Sequence, residues 1–144
     1  MRAAPEHDED YVLDAQFGFV LRQAHQRHAT IFAAAMIEGL TPTQWAAIAK
    51  LRECGVCSQN LLGRLTAMDA ATIKGVIDRL TARGFTTTRA DPVDGRRLLV
   101  DLTDQGAAVH ARAAPIARAI TEKMLAPLDA VERAMLIGLL RRLT

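Results

Sequence analysis

Between Gly84 and Thr103 the chain abandons the three- and four-residue spacing of apolar side chains that runs through nearly all the rest of it. Phe85-Thr86-Thr87-Thr88-Arg89-Ala90 is rich in β-branched residues and reads as a strand. Asp91-Pro92-Val93-Asp94-Gly95 carries turn chemistry, and Arg97-Leu98-Leu99-Val100-Asp101-Leu102 reads as the returning strand. One hairpin in an otherwise helical chain of 144 residues narrows the fold to a mainly α domain with a small β-hairpin.

The helices announce themselves by period and by caps. From Val12 to about Glu38, Leu13, Phe17, Val20, Leu21, Ala24, Ile31, Phe32 and Ala35 recur at helical steps, and Gly39 ends the pattern. Thr41-Pro42-Thr43 opens a second helix, with Thr43 as cap or Pro42 in the first turn, reaching about Cys54. Gly55 breaks it. Ser58 is expected to cap a short helix, Gln59 to Leu65, with Leu61, Leu62 and Leu65 inward. Asp69 caps Ala70 to Arg83, whose apolar stripe is Ile73, Val76, Ile77 and Leu80. Thr103 caps a helix to about Leu125 in which Pro115 predicts a kink or a disruption. A last helix, Asp129 to Leu143, aligns Val131, Met135, Leu139 and Leu143.

Composition limits the partners. Charged residues are 24% of the chain and the net charge is only +2, so any attraction for a polyanion must be local. It is: from Ser58 to Arg97 seven Lys or Arg face four Asp or Glu. Two cysteines are too few for a four-thiolate zinc site or a disulfide scaffold. The start of the chain, with Glu6, Asp8, Glu9, Asp10 and Asp14, lacks the basic-then-apolar order of a signal peptide, and no apolar run approaches the ~20 residues that span a bilayer. A cytoplasmic protein without membrane contact is expected. No G-x-S-x-G, P-loop or H-E-x-x-H occurs, and the four histidines make no metal-ligand pattern, so neither catalysis, metal nor cofactor is expected.

Helix, short helix, turn, helix, strand, basic turn, strand is the order of a winged helix-turn-helix. Asp91 through Gly106, with its acidic and arginine turn and its Leu-Thr-x-x-Gly ending, resembles the wing of the MarR family of bacterial transcriptional regulators. Leu40-Thr41-Pro42-Thr43-Gln44-Trp45 is similar to that family's second-helix entrance, and Arg79-Leu80-Thr81-Ala82-Arg83-Gly84-Phe85 to the exit of its recognition helix. Val93 departs from the pattern, standing where many members carry another charge. The resemblance implies a single domain, 1–144, with a winged helix-turn-helix lobe at 40–103 and dimerisation helices at 10–39 and 104–144. It implies a homodimeric, sequence-specific regulator of transcription on double-stranded DNA, and a repressor released from a pseudo-palindromic operator by a small aromatic or anionic ligand.

A helix of about 14 residues fits the major groove, and Ala71, Thr72, Lys74 and Gly75 on its first half are candidates for base edges and phosphates, followed by Arg79. Arg96, at the hairpin tip beside Gly95, is the candidate minor-groove arginine, with Asp94 orienting it and Arg97 and Arg89 on the strand surface toward phosphate or solvent. Two copies would read half-sites about 10 base pairs apart. Leu13, Phe17, Leu128, Val131, Met135, Leu139, Leu140 and Leu143 are candidates for the dimer interface; helical period alone also allows them to be a monomer's core. For a cleft holding an aromatic acid or its coenzyme A thioester the candidates are Arg22 for the carboxylate, His25 and His28 for hydrogen bonds, and Phe32 and Trp45 for the walls. His28 also lies where a core histidine would.

Two other functions use the same residues. Cys54-Gly55-Val56-Cys57 is a C-x-x-C pair, which suggests a redox-sensing regulator, although it sits between helices rather than at the start of one. A winged helix can also serve as a protein-contact module without DNA.

Overall fold

A computed structural model describes residues 11–144, so the acidic run from Glu6 to Asp10 lies outside the described residues. A 3-10 turn, Leu13–Ala15, leads into α1 (Phe17–Ala35). Then follow α2 (Pro42–Cys54), β1 (Cys57–Ser58), α3 (Gln59–Leu65), α4 (Ala70–Ala82), β2 (Thr86–Ala90), β3 (Leu98–Leu102), α5 (Asp104–Leu125) and α6 (Ala130–Arg141). The expected hairpin is present in antiparallel register from Thr86 opposite Leu102 to Ala90 opposite Leu98. It is part of a three-stranded sheet, ordered β1-β3-β2, because Cys57 and Ser58 pair with Val100 and Leu99 on the other edge of β3.

Caps explain most boundaries. Ser58, Asp69, Thr103 and Asp129 each accept a backbone N–H three residues on, at Leu61, Thr72, Gly106 and Glu132. At α2 the cap is Thr41 rather than Thr43: its hydroxyl accepts from Gln44 N while the Gln44 side chain accepts from Thr41 N, a reciprocal box with Pro42 in the first turn. The first helix is shorter than its apolar period, since the chain leaves helical geometry at Met36 and turns through two left-handed residues, Glu38 (φ 58°) and Gly39 (φ 61°). Pro115 neither ends nor divides α5. It and Ala111, whose carbonyl loses its helical donor, are both exposed, so water can serve that carbonyl.

Two clusters hold the chain together. The larger joins α2, α3, α4, the sheet and the start of α5 through Ile48, Leu51, Leu62, Ile73, Ile77, Leu80, Phe85, Val100 and Val109. Of the three leucines expected inward on α3 only Leu62 is buried; Leu61 and Leu65 are exposed, because a seven-residue helix against α4 presents one side chain per turn to the core. Gly63 is there because a Cβ would lie 3.1 Å from both Ile73 Cγ2 and the Met68 carbonyl. The smaller cluster seats α1 on α5 through Ile31, Phe32 and Ile120, bordered by Met36, Trp45, Ile116 and Met124. Arg27 of α1 locks this seat by donating to the carbonyls of Met124 (2.7 Å) and Lys123 (3.2 Å), which end α5 without helical partners.

The Leu-Thr-x-x-Gly motif is a staple between sheet and helix. Thr103 N donates to Phe85 O at 3.1 Å, the Thr103 hydroxyl donates to Gly84 O, and Gly106 N donates back to Thr103 Oγ1 at 3.0 Å. Gly106 then lies on the Phe85 carbonyl, 2.0 Å from where a Cβ would stand.

No side chain of α6 is buried within the chain. Its Val131, Met135, Leu136, Ile137 and Leu139, and Leu143 just beyond it, are exposed together with Tyr11, Val12, Leu13, Phe17, Val20 and Leu21 near the other end. Leu128 and Leu140 are half-buried. Leu13, Phe17, Val131, Met135, Leu139 and Leu143 are thus not part of the core of a single chain. Among the described residues no helix is long and apolar enough to cross a membrane.

Candidate nucleic-acid interface

The wing is held open by its own carboxylates. Asp91 Oδ1 accepts Val93 N at 2.9 Å, and Asp94 Oδ1 accepts both Arg96 N (3.1 Å) and Arg96 Nε (3.3 Å). Arg97 Nε stands 3.9 Å from Asp94 Oδ2. One aspartate therefore steers two arginines, and the Arg96 side chain is left 93% exposed at the tip. Val93, 96% exposed, contributes an uncharged tip residue. Arg89 is exposed on β2, opposite Leu99.

On α4 the apolar stripe is fully buried, and Ala71, Thr72, Lys74, Asp78 and Arg79 lie on the exposed side. Asp69 starts the helix with a 2.7 Å bond from Thr72 N, and that backbone bond holds its carboxyl below the ordinary aspartate range. Gly75 leaves the surface low, with the Arg79 guanidinium over it at ordinary contact distance from where a Cβ would be. Sequence reasoning missed the partner of Lys74: its Nζ is 2.7 Å from Asp78 Oδ2, one turn on. It also missed α3, where Ser58, Gln59, Asn60, Leu61 and Arg64 face Arg96, Arg97 and Leu98 across a cleft of about 290 Å³.

The chain carries a second, different concavity. Between α2 and α5 a groove of about 460 Å³ is lined by Trp45, Ala49, Arg52, Glu53, His110, Ala114, Ala117, Arg118 and Thr121. The Trp45 and His110 rings stack at 5.4 Å and 19°. Burial, reinforced by Arg52 and Arg118, pushes the His110 pKa below the ordinary imidazole value, so the ring is neutral at pH 7. Of the five residues expected to contact a ligand, Trp45 alone lines this groove. Phe32 is buried behind it in the α1–α5 cluster, His28 is half-buried with its ring 6.1 Å from that of Phe32, and Arg22 and His25 are exposed on α1. His110, Arg52 and Arg118 went unread because they meet only when α2 packs on α5.

Cys57 is buried in β1, and burial with the neighbouring Cys54 pushes its thiol pKa up, the reverse of the thiolate that an oxidation sensor needs; Cys54 is exposed and both are free.

The MarR family model matches residues 40–98, from the entrance of α2 to the first residue of β3. Over 142 residues, 98% of this chain and 90% of the other, 39% are identical to the HTH-type transcriptional repressor NicR of Pseudomonas putida. The chain belongs to the MarR family. Solved MarR-like structures share the whole architecture. A probable transcriptional regulator from Pseudomonas aeruginosa superposes with a TM-score of 0.90 at 56% identity, covering 92% of this chain and 100% of that one. Bordetella bronchiseptica BpsR, solved to explain how 6-hydroxynicotinic acid regulates its DNA binding, gives 0.89 at 38% identity over 92% and 96%. The MarR lobe here is a DNA-binding transcriptional regulator's.

Proposed function

We propose that this MarR-family chain is a homodimeric repressor that grips a pseudo-palindromic operator in the cytoplasm and releases it when a small planar acid occupies the α2–α5 groove. The observation that carries the reading is the wing, where Asp94 holds Arg96 almost fully exposed, in the same lobe as an α4 whose outer side faces solvent. In this reading Ala71, Thr72, Lys74, Gly75 and Arg79 meet the major groove, Arg96 the minor groove, and Arg89 and Arg97 the phosphates. A protein-contact module would have no need of an arginine positioned this way, and relatives named as repressors and regulators favour DNA. The reading includes no catalysis and no resident metal or cofactor.

Dimerisation supplies the half-site spacing. The apolar sides of α6 and the 3-10 turn, centred on Leu13, Phe17, Val131, Met135, Leu139 and Leu143, with Leu128 and Leu140 at the edge, are the proposed interface. Light scattering should report about twice the 15.7 kDa chain mass, and Leu139→Glu should give a monomer with operator affinity reduced by at least about tenfold. A monomeric wild type that still binds palindromic DNA would refute this arrangement.

For the ligand, the stacked Trp45 and His110 offer a platform for one aromatic ring, and Arg118 and Arg52 offer guanidinium groups for a carboxylate. BpsR responds to 6-hydroxynicotinic acid, and a hydroxylated aromatic carboxylate suits this groove better than a whole coenzyme A thioester. Arg22, His25 and His28 join the proposal as rim residues that α1 of a second copy could bring across. Trp45 is the chain's only tryptophan, so intrinsic fluorescence reads the groove directly. Titration with 6-hydroxynicotinate should quench it and displace DNA, and Arg118→Ala should raise the ligand's Kd about tenfold or more. A carboxylate also favours protonated His110, so affinity should rise as pH falls toward that lowered pKa. Neither quenching nor release with any aromatic acid would remove ligand control from the proposal.

A further inference from the structure

The wing and the start of α4 are not adjacent; the outer edge of α3 stands between them. Asn60 and Arg64 border the cleft facing the wing, together with Gln59, Arg96 and Arg97. The same two residues border a second cleft, of about 370 Å³, facing the start of α4 with Gly63, Met68, Asp69, Ala70 and Ile73. In B-form DNA a minor groove and the neighbouring major groove are separated by one sugar-phosphate strand. A chain that puts a wing into one and a helix into the other must therefore set that strand across the part between them, as the first helix of a helix-turn-helix does.

We infer that Arg64, with Asn60 beside it and Arg97 across the cleft, seats the backbone phosphate that separates the groove entered by the wing from the groove entered by α4. This rests on the DNA-binding reading and adds α3 to it. Three further observations fit a phosphate. Arg64 is exposed and takes part in no ion pair or side-chain hydrogen bond among the described residues, a state it shares in this lobe with Arg79 and Arg89, whereas Lys74, Arg83, Arg96 and Arg97 are each tied to a carboxylate. Its charge is therefore free for an external anion. Asp94 on the wing is already shared by Arg96 and Arg97, Asp91 accepts Val93 N, and Asp69, which lines the second cleft, is occupied with Thr72 N. Finally, Gln59 Oε1 is a buried acceptor with no donor among the described residues. A guanidinium has five N–H groups, so an arginine drawn into this cleft by a phosphate can also satisfy Gln59.

A phosphate seat carries no sequence information, and the test uses that. Binding of wild type, Arg64→Ala and Arg64→Lys would be measured from low to moderate salt on two duplexes, the DNA upstream of the chain's own gene and a mixed-sequence control. Arg64→Ala should weaken both by a similar factor, about tenfold, and should flatten the log-affinity against log-salt line by about two across a dimer. Arg64→Lys should restore much of the slope, and circular dichroism melting should not move, since Arg64 is exposed and holds no side-chain hydrogen bond or ion pair among the described residues. Unchanged affinity and slope for Arg64→Ala, beside a wild type that binds, would overturn the seat alone. A loss confined to one sequence with the slope intact would make Arg64 a base reader and also overturn it. A wild type that bound neither duplex would overturn the DNA-binding reading and the seat with it.

Discussion

Gly106→Ala should abolish stable folding of the winged lobe. The added Cβ would stand 2.0 Å from Phe85 O and 3.1 Å from Leu102 Cδ2, and Phe85 O is backbone, fixed by the bond from Thr103 N. Relief requires α5 to back away from the sheet, which breaks the Thr103 staple and uncovers Val109. A loss of about 4 kcal/mol or more is expected, a large part of the 5–15 kcal/mol that holds a domain of this size. Urea denaturation followed by far-UV circular dichroism measures it, and a midpoint within experimental error of wild type would show that the staple yields. Gly63→Ala supplies the graded comparison: its contacts at 3.1 Å involve a movable Ile73 side chain as well as the Met68 carbonyl, so roughly 1–3 kcal/mol is expected.

Arg96→Ala should leave the fold intact and cripple DNA binding. The side chain is 93% exposed and its ion-pair partner is Asp94, so its removal uncovers no core. A minor-groove arginine contributes shape reading as well as phosphate neutralisation, and its loss from both halves of a dimer should weaken operator binding by about 100-fold and reduce the salt dependence. Unlike Arg64→Ala, the loss should be larger on the operator than on mixed-sequence DNA. Binding that stays the same at every salt concentration would reject the role. Asp94→Ala should fall between wild type and Arg96→Ala, because it frees both Arg96 and Arg97 without removing their charge.

What the sequence disclosed was the chemistry that a single residue carries. Asp69, Ser58 and Thr103 each need only their own oxygen and an N–H three residues away, and all three caps are where they were expected. The hairpin was equally readable, since Thr86-Thr87-Thr88 and the Asp-Pro-Val-Asp-Gly turn contrast with everything around them. The arrangement of Asp94 with Arg96 followed from their two-residue spacing. Other features depend on partners far along the chain. β1 has two residues, too few for any period, and exists because β3 has a free edge to template it. Thr41 and Thr43 are indistinguishable as caps until Gln44 is seen reaching back to Thr41 N. Leu61 and Leu65 have the apolar character of core residues, but α4 covers only one side of α3. The α2–α5 groove joins residues some sixty positions apart, so Trp45 could be suspected while His110 could not.

The left-handed turn at Glu38 connects two parts of the molecule through one carboxylate. Its Oε2 is 3.4 Å from Arg83 at the exit of α4, and its Oε1 is 3.1 Å from Arg112 on α5. Arg83 also lies over the Phe85 ring at 4.7 Å, where the wing begins. Through Glu38 the end of α4 and α5 thus share a joint with the α1–α2 turn. Solvent-facing pairs of this kind contribute only about 0–1 kcal/mol each, so the joint behaves as a spring rather than a bolt. A joint this weak lets α4 and α5 shift against each other at small energetic cost while still linking the two.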